Sequence, residues 1–158
     1  MFVLARTITY AALFIAFVLL YLPWRVLRWA GVDRPPAVGV PQVVALAVGA
    51  VGAALALWCV FTFALVGRGT PAPFDPPRRL VVRGPYRRVR NPMYVGAAVA
   101  LGAAALFYRS LALLAFTAGF LLVTHLFVIG YEEPALRRTF GAEYDAYCAA
   151  VRRWWPRW

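Results

Sequence analysis

The chain has 158 residues, is 63% hydrophobic and has a mean hydropathy of +0.70, too apolar for an ordinary soluble domain and too short for more than one. Its formal charge of +11 comes wholly from arginine, because the sequence contains no lysine. Those arginines flank apolar runs, as the positive-inside rule expects, which argues against nucleic acid as the partner and favours a membrane. Cys59 lies in an apolar run and Cys148 near the C-terminus. They form no metal-ligand spacing and no disulfide framework, so both read as free thiols.

The first apolar run covers residues 1–22, interrupted only by Arg6. It meets Leu22-Pro23-Trp24-Arg25 rather than a small-residue cleavage site, so it reads as an uncleaved anchor with an aromatic belt at Tyr21 and Trp24. Residues 25–37, with Arg25, Arg28, Asp33, Arg34 and Pro35-Pro36, read as polar and irregular. A second run from about Val38 to Gly67 carries no charge, and its Gly49, Gly52 and alanines allow close helix approach. Prolines 71, 73, 76, 77 and 85 deny the loop from Arg68 to Arg90 a continuous helix. A third run, from about Asn91 to Tyr108, is barely long enough to cross hydrocarbon. After the link Tyr108-Arg109-Ser110, a fourth run reaches Tyr131, so runs three and four form an antiparallel hairpin.

From Glu132 onward Leu136, Phe140, Tyr144, Tyr147 and Val151 recur at helical spacing, with arginines and tryptophans at the end. That pattern predicts an amphipathic helix lying at the interface, anchored by Trp154, Trp155 and Trp158. The expected fold is therefore all-α, with about four transmembrane helices. Arg6, the seven arginines of 68–90 and the five after residue 131 total 13, against Arg25, Arg28, Arg34 and Arg109 on the other side. This split places both termini in the cytoplasm. Half-insertion of the first segment would also account for the three arginines of the first loop. Residues 1–67 then read as anchoring helices, and 68–158 as the half that carries chemistry.

Two polar features reach the same boundary. One is the stretch Arg83–Gly96, reading RGPYRRVRNPMYVG, and the other is Glu132-Glu133 at the end of the fourth run. Ionisable residues at membrane depth are costly unless paired or liganded. Their functional reading stands beside a structural one, in which the two glutamates cap a helix and pair with arginines. His125, two turns before Glu132, reads first as a hydrogen-bonded packing residue and second as a ligand contact. No catalytic triad, phosphate-binding glycine loop or metal cluster is present in the sequence. Cations, a carboxylate pair and aromatic rings suit a charged, nucleoside-like cofactor that brings its own reactivity.

At these residues the chain resembles the integral-membrane methyltransferases, a group that includes isoprenylcysteine carboxyl methyltransferases, phospholipid N-methyltransferases and bacterial relatives. The resemblance rests on Gly84-Pro85-Tyr86, Arg90-Asn91-Pro92-Met93-Tyr94 with Gly96, and Glu132-Glu133 followed by Leu136, Phe140-Gly141, Tyr144 and Tyr147. Gly69-Thr70-Pro71 through Leu80-Val81 is also similar to the bacterial members, so the likeness covers roughly residues 67–156. It implies an S-adenosylmethionine pocket between the hairpin and the C-terminal helix, contacted by Leu80, Val81, Tyr86, Asn91, Pro92, Tyr94 and Glu132, and Gly96, His125 and Glu133 join them as candidate cofactor-binding residues. Arg90 and Glu132 are then the catalytic candidates, with a lipophilic or membrane-borne acceptor as substrate. Two positions depart from the isoprenylcysteine pattern: Asn91 stands where many relatives have histidine, and Val128 where those enzymes carry a substrate-binding arginine. Arg87, Arg88 or Arg90 could substitute for the latter. Sterol reductases resemble the C-terminal half of this group, so an NADPH-dependent membrane reductase is one alternative. A scaffold whose basic face holds anionic lipid is another.

Overall fold

The structure, a computed structural model, describes residues 9–32, 36–67 and 79–156. Arg6, Asp33-Arg34-Pro35, the proline-rich stretch 68–78 and Trp158 lie outside the described residues. All regular elements described are helical; an isolated parallel bridge joins Val89 to Arg152. Among the described residues three helices are long and apolar enough to cross a membrane: α1 (Thr9–Trp29), α2 (Val40–Gly67) and α4 (Leu111–Phe140). Between the last two lies α3 (Pro92–Tyr108), and α5 (Ala142–Ala150) follows α4. At 17 residues α3 is about 25 Å long, somewhat short of a ~30 Å hydrocarbon core. Leu13, Phe17, Val51, Phe61, Leu122 and Leu126 are exposed on the outer faces, the arrangement expected where lipid replaces water as solvent.

The predicted end of the first helix at Leu22-Pro23 is corrected, since α1 runs on through Pro23 to Trp29 and carries Arg25 and Arg28 with it. A proline in a regular helix lacks the donor and crowds the carbonyl four residues back. Here Ile15–Tyr21 form π turns, with the Leu22 N–H donating to Phe17 O, and the widened register admits the ring. Arg25 then lies over the Trp29 ring, 5.1 Å from its centroid, at the helix end.

Helix α2 begins with a reciprocal device. The Gly39 N–H donates to Gln42 Oε1 at 3.2 Å, and Gln42 Nε2 donates to the Phe107 carbonyl at 3.2 Å. The buried glutamine thus satisfies a free donor at the start of α2 and a free acceptor at the end of α3. Lower down, Gly52 and Gly96 face each other across the α2–α3 crossing. A methyl on either would lie 2.7 Å from the other's carbonyl oxygen, so only glycine permits this approach. The predicted hairpin forms, with Arg109 in the left-handed region (φ +49°) and Ser110 Oγ accepting from the Leu113 N–H at 3.3 Å.

The fourth helix does not stop at Tyr131. A π turn at Val128–Glu132, in which the Glu133 N–H donates to Val128 O, carries it past both glutamates to Phe140. The single amphipathic C-terminal helix predicted from Glu132 is therefore divided at Gly141, whose φ of +52° and ψ of −127° suit glycine alone. Its apolar stripe survives the break: Tyr144, Tyr147 and Val151 are buried together, with Leu136, Phe140 and Leu80 packed against them.

Candidate functional site

One end of the bundle collects the start of α3, the end of α4 and the segment after α5. Pro92 opens α3, where a missing N–H costs nothing, and so fixes the chain direction just after Arg90 and Asn91. Arg90 and Tyr94, four residues apart, each meet one of the adjacent glutamates. Arg90 Nη2 donates to Glu133 Oε1 at 3.0 Å, and the Tyr94 hydroxyl donates to Glu132 Oε2 at 3.3 Å. The π turn ending at Glu132 offsets the two carboxylates, and their surroundings differ sharply.

Glu133 is buried and saturated. Besides Arg90 it accepts from Arg153 Nε at 2.6 Å and Arg153 Nη2 at 2.9 Å, a two-point clamp on a planar carboxylate. Bonding to Glu133 raises the affinity of Arg153 for its proton still further. The backbone makes the same junction: the Arg90 N–H donates to Arg152 O at 2.9 Å, and Asn91 Nδ2 donates to Arg153 O at 3.3 Å. Trp154 Nε1 donates to His125 Nδ1 at 3.1 Å, which ties the same tail to α4. Glu132, only partly buried, has Tyr94 as its one hydrogen-bond partner among the described residues. Arg90 Nε is buried and lacks a partner among the described residues. A guanidinium N–H left dry in this way calls for an acceptor.

Tyr86, in a 3₁₀ turn at Gly84–Arg87, is buried against Cys59 and Val81, with its ring 6.1 Å from that of Phe63. Its carbonyl accepts from the Tyr147 hydroxyl at 2.7 Å. Burial pushes the Tyr86 phenol well above its usual range, so it stays neutral. Beneath Tyr94 lies an apolar cavity of about 440 Å³ walled by all four long helices, with Phe14, Ala56, Val60, Tyr94, Ala97 and Phe127 on its lining.

Several predicted positions thus come together: Arg90, Asn91, Tyr94, Glu132 and Glu133 form one polar junction, with Pro92 beneath it and Tyr86 beside it. Val81 packs on Tyr86, and Leu80 on the Tyr144–Tyr147–Val151 cluster. Gly96 belongs to the crossing with Gly52, and His125 to the bond with Trp154. Val128, at the position where isoprenylcysteine enzymes carry arginine, is completely buried. Sequence reasoning missed Arg153, Trp154 and the hydroxyl of Tyr147, having assigned the tail to the lipid interface. One signal was there: two adjacent glutamates at membrane depth require cations, and Arg152-Arg153 are a basic pair about 20 residues further on.

A helical bundle of apolar outer faces, with a polar junction at one end above an apolar cavity, defines an integral membrane protein built to handle a lipophilic molecule. The phospholipid methyltransferase family matches residues 40–143, well over half of the chain, and the chain belongs to that family. It is accordingly a membrane methyltransferase. No curated protein and no solved structure matches it.

Proposed function

We propose that this chain transfers a methyl group from S-adenosylmethionine to a lipophilic or membrane-borne acceptor. Its site and both termini would lie on the cytoplasmic side, as the arginine distribution favours. The observation that carries the reading is the division of labour between the carboxylates. Glu133 spends its charge on Arg90 and Arg153, whereas Glu132 keeps capacity for a ligand above an apolar cavity. The donor set fits the cofactor's amino-acid end: Glu132 for an ammonium or for ribose hydroxyls, and the orphaned Arg90 Nε for a carboxylate.

When bound, the cofactor would supply an electrophilic sulfonium methyl for the acceptor's lone pair, with the neutral thioether as leaving group. The protein's own part is placement and exclusion of water. Tyr94 joins the polar junction to the cavity, its hydroxyl held by Glu132 and its side chain on the cavity wall. The C-terminal tail, latched through Arg153 and Trp154, closes the junction from behind. An anionic acceptor needs no base; an amine must first shed a proton. The half from residue 68 onward provides these polar contacts. Val128 offers a prenylcysteine carboxylate no cation at that position, leaving Arg87 and Arg88, both exposed, as nearby candidates.

Calorimetry on the detergent-solubilised protein tests the proposal. Wild type is expected to bind S-adenosylmethionine, and Glu132→Ala to bind roughly 10-fold or more weakly, the loss of one charge-assisted contact. A folded wild-type sample that binds none refutes it.

A further inference from the structure

The C-terminal tail meets the loop before α3 where like charges are densest. A parallel bridge joins Val89 to Arg152, and the Arg90 N–H donates to the Arg152 carbonyl at 2.9 Å, so the two backbones run side by side about 4.8 Å apart. One backbone carries Arg87, Arg88 and Arg90, the other Arg152 and Arg153. Arg90 and Arg153 turn to Glu133, and Glu132 is the second carboxylate at this junction. Even with both glutamates counted, guanidinium groups outnumber carboxylates by three. Arg87, Arg88 and Arg152 are exposed, and none is in an ion pair among the described residues. The acids of α5 do not make up the difference: Asp145 is held by Arg137 at 2.7 Å, and Glu143 is in no ion pair among the described residues. The positive-inside rule asks for arginines on one side of the membrane, not for their convergence on one backbone bridge. Cations gathered in this way repel one another unless an anion stands between them.

We infer that Arg87, Arg88 and Arg152 bind the phosphate of an anionic phospholipid headgroup, which clips the C-terminal tail to the loop before α3. Guanidinium forks match phosphate oxygens at two points, and one phosphate reaching both backbones offsets the repulsion across the bridge. Two observations choose lipid as the source of that phosphate. Trp155, three residues after Arg152, is 75% exposed, a large ring suited to the headgroup layer. Arg90 stands two residues before α3, and a helix of about 25 Å in a ~30 Å hydrocarbon core draws its ends toward the headgroups rather than out into water. The clip has a consequence for the polar junction, because the tail it holds carries the Arg153 clamp on Glu133 and the Trp154 bond to His125. It does not depend on methyl transfer, and neither cofactor nor acceptor enters its test.

The full chain in detergent is titrated with dioleoyl phosphatidylglycerol or with phosphatidylcholine of the same chains, and bound lipid is counted by native mass spectrometry. Phosphatidylglycerol should bind about tenfold or more tightly than phosphatidylcholine. Arg88→Gln and Arg152→Gln should each weaken it about fivefold, the share of one guanidinium at a headgroup, while Arg152→Lys keeps most of the binding. Arg87→Gln is a third removal, so one unstable variant still leaves the outcome decided. Arg109→Asn removes a charge at the opposite end of α3 with a residue that tolerates the left-handed backbone there, and should change nothing. Hydrogen exchange at the Arg90 and Asn91 amides, which donate to the tail carbonyls of Arg152 and Arg153, should slow severalfold when phosphatidylglycerol is added to wild type. Arg152→Gln should abolish that slowing, and soluble glycerol phosphate at the same concentration should not reproduce it. Equal binding of the two lipids, or an Arg109→Asn loss as large as that of Arg152→Gln, overturns the inference. So does equal slowing by soluble glycerol phosphate, which would make the site one for a free anion instead of a lipid surface.

Discussion

Replacing Glu133 by glutamine should destabilise the fold rather than merely weaken a ligand. The side chain accepts three charge-assisted hydrogen bonds, at 2.6, 2.9 and 3.0 Å, and is 11% exposed, as is that of Arg90. Breaking a buried ion pair by removing one partner costs ~3–5 kcal/mol, because the remaining charges stay desolvated. The side chain of Arg153 is 32% exposed, and water recovers part of that loss, which lowers the expected cost to about 2–3 kcal/mol. For a chain of this size each kcal/mol shifts the melting temperature by ~2–4 °C, so Glu133→Gln should melt roughly 4–12 °C below wild type in detergent. Arg153→Gln should lose a comparable amount, and the double variant little more than either, since the two side chains share one interaction. Glu132→Gln, by contrast, should melt close to wild type. If Glu133→Gln keeps the wild-type melting temperature, or the two single losses simply add, Glu133 is not the hub described above.

Two further substitutions probe the architecture that holds the site. Gly96→Ala places a methyl 2.7 Å from the Gly52 carbonyl and should cost ~1–3 kcal/mol on thermal melting, whereas Gly102→Ala, with nothing within 4 Å, should be neutral or slightly stabilising. A Gly96→Ala variant that melts normally would mean that the helices do not cross at these glycines. Gly141→Ala should cost about 1–3 kcal/mol, because a φ of +52° with ψ of −127° is strained for any side chain even though space is open. Its loss should appear as increased proteolysis between α4 and α5 as well as in the melting curve.

Much of this protein follows from its sequence. Charge-free runs bounded by arginine demand membrane helices, and the two-residue link after Tyr108 demands a hairpin. That hairpin brings residues 83–96 and Glu132-Glu133 to one end of the bundle, because α4 runs antiparallel to α3 and returns the chain to the level at which α3 began. Periodicity likewise finds the stripe Leu136–Val151, since burial of a face leaves a 3.6-residue signature. Helix ends were less legible. Pro23 and Glu132-Glu133 both look like boundaries by local preference, yet π turns next to each let the helix continue, a tertiary choice with no composition of its own. The roles of the two glutamates are the clearest case. Adjacent in sequence and identical in chemistry, they are separated only by what faces them: Arg90 and Arg153 for Glu133, the Tyr94 hydroxyl for Glu132. Three of those contacts span 20 to 43 residues, and no local pattern specifies which carboxylate a distant guanidinium will reach. The sequence by itself determined a basic, helical membrane protein with a carboxylate pair at one end. Packing alone decided that one glutamate holds the chain together and the other is left to meet a ligand.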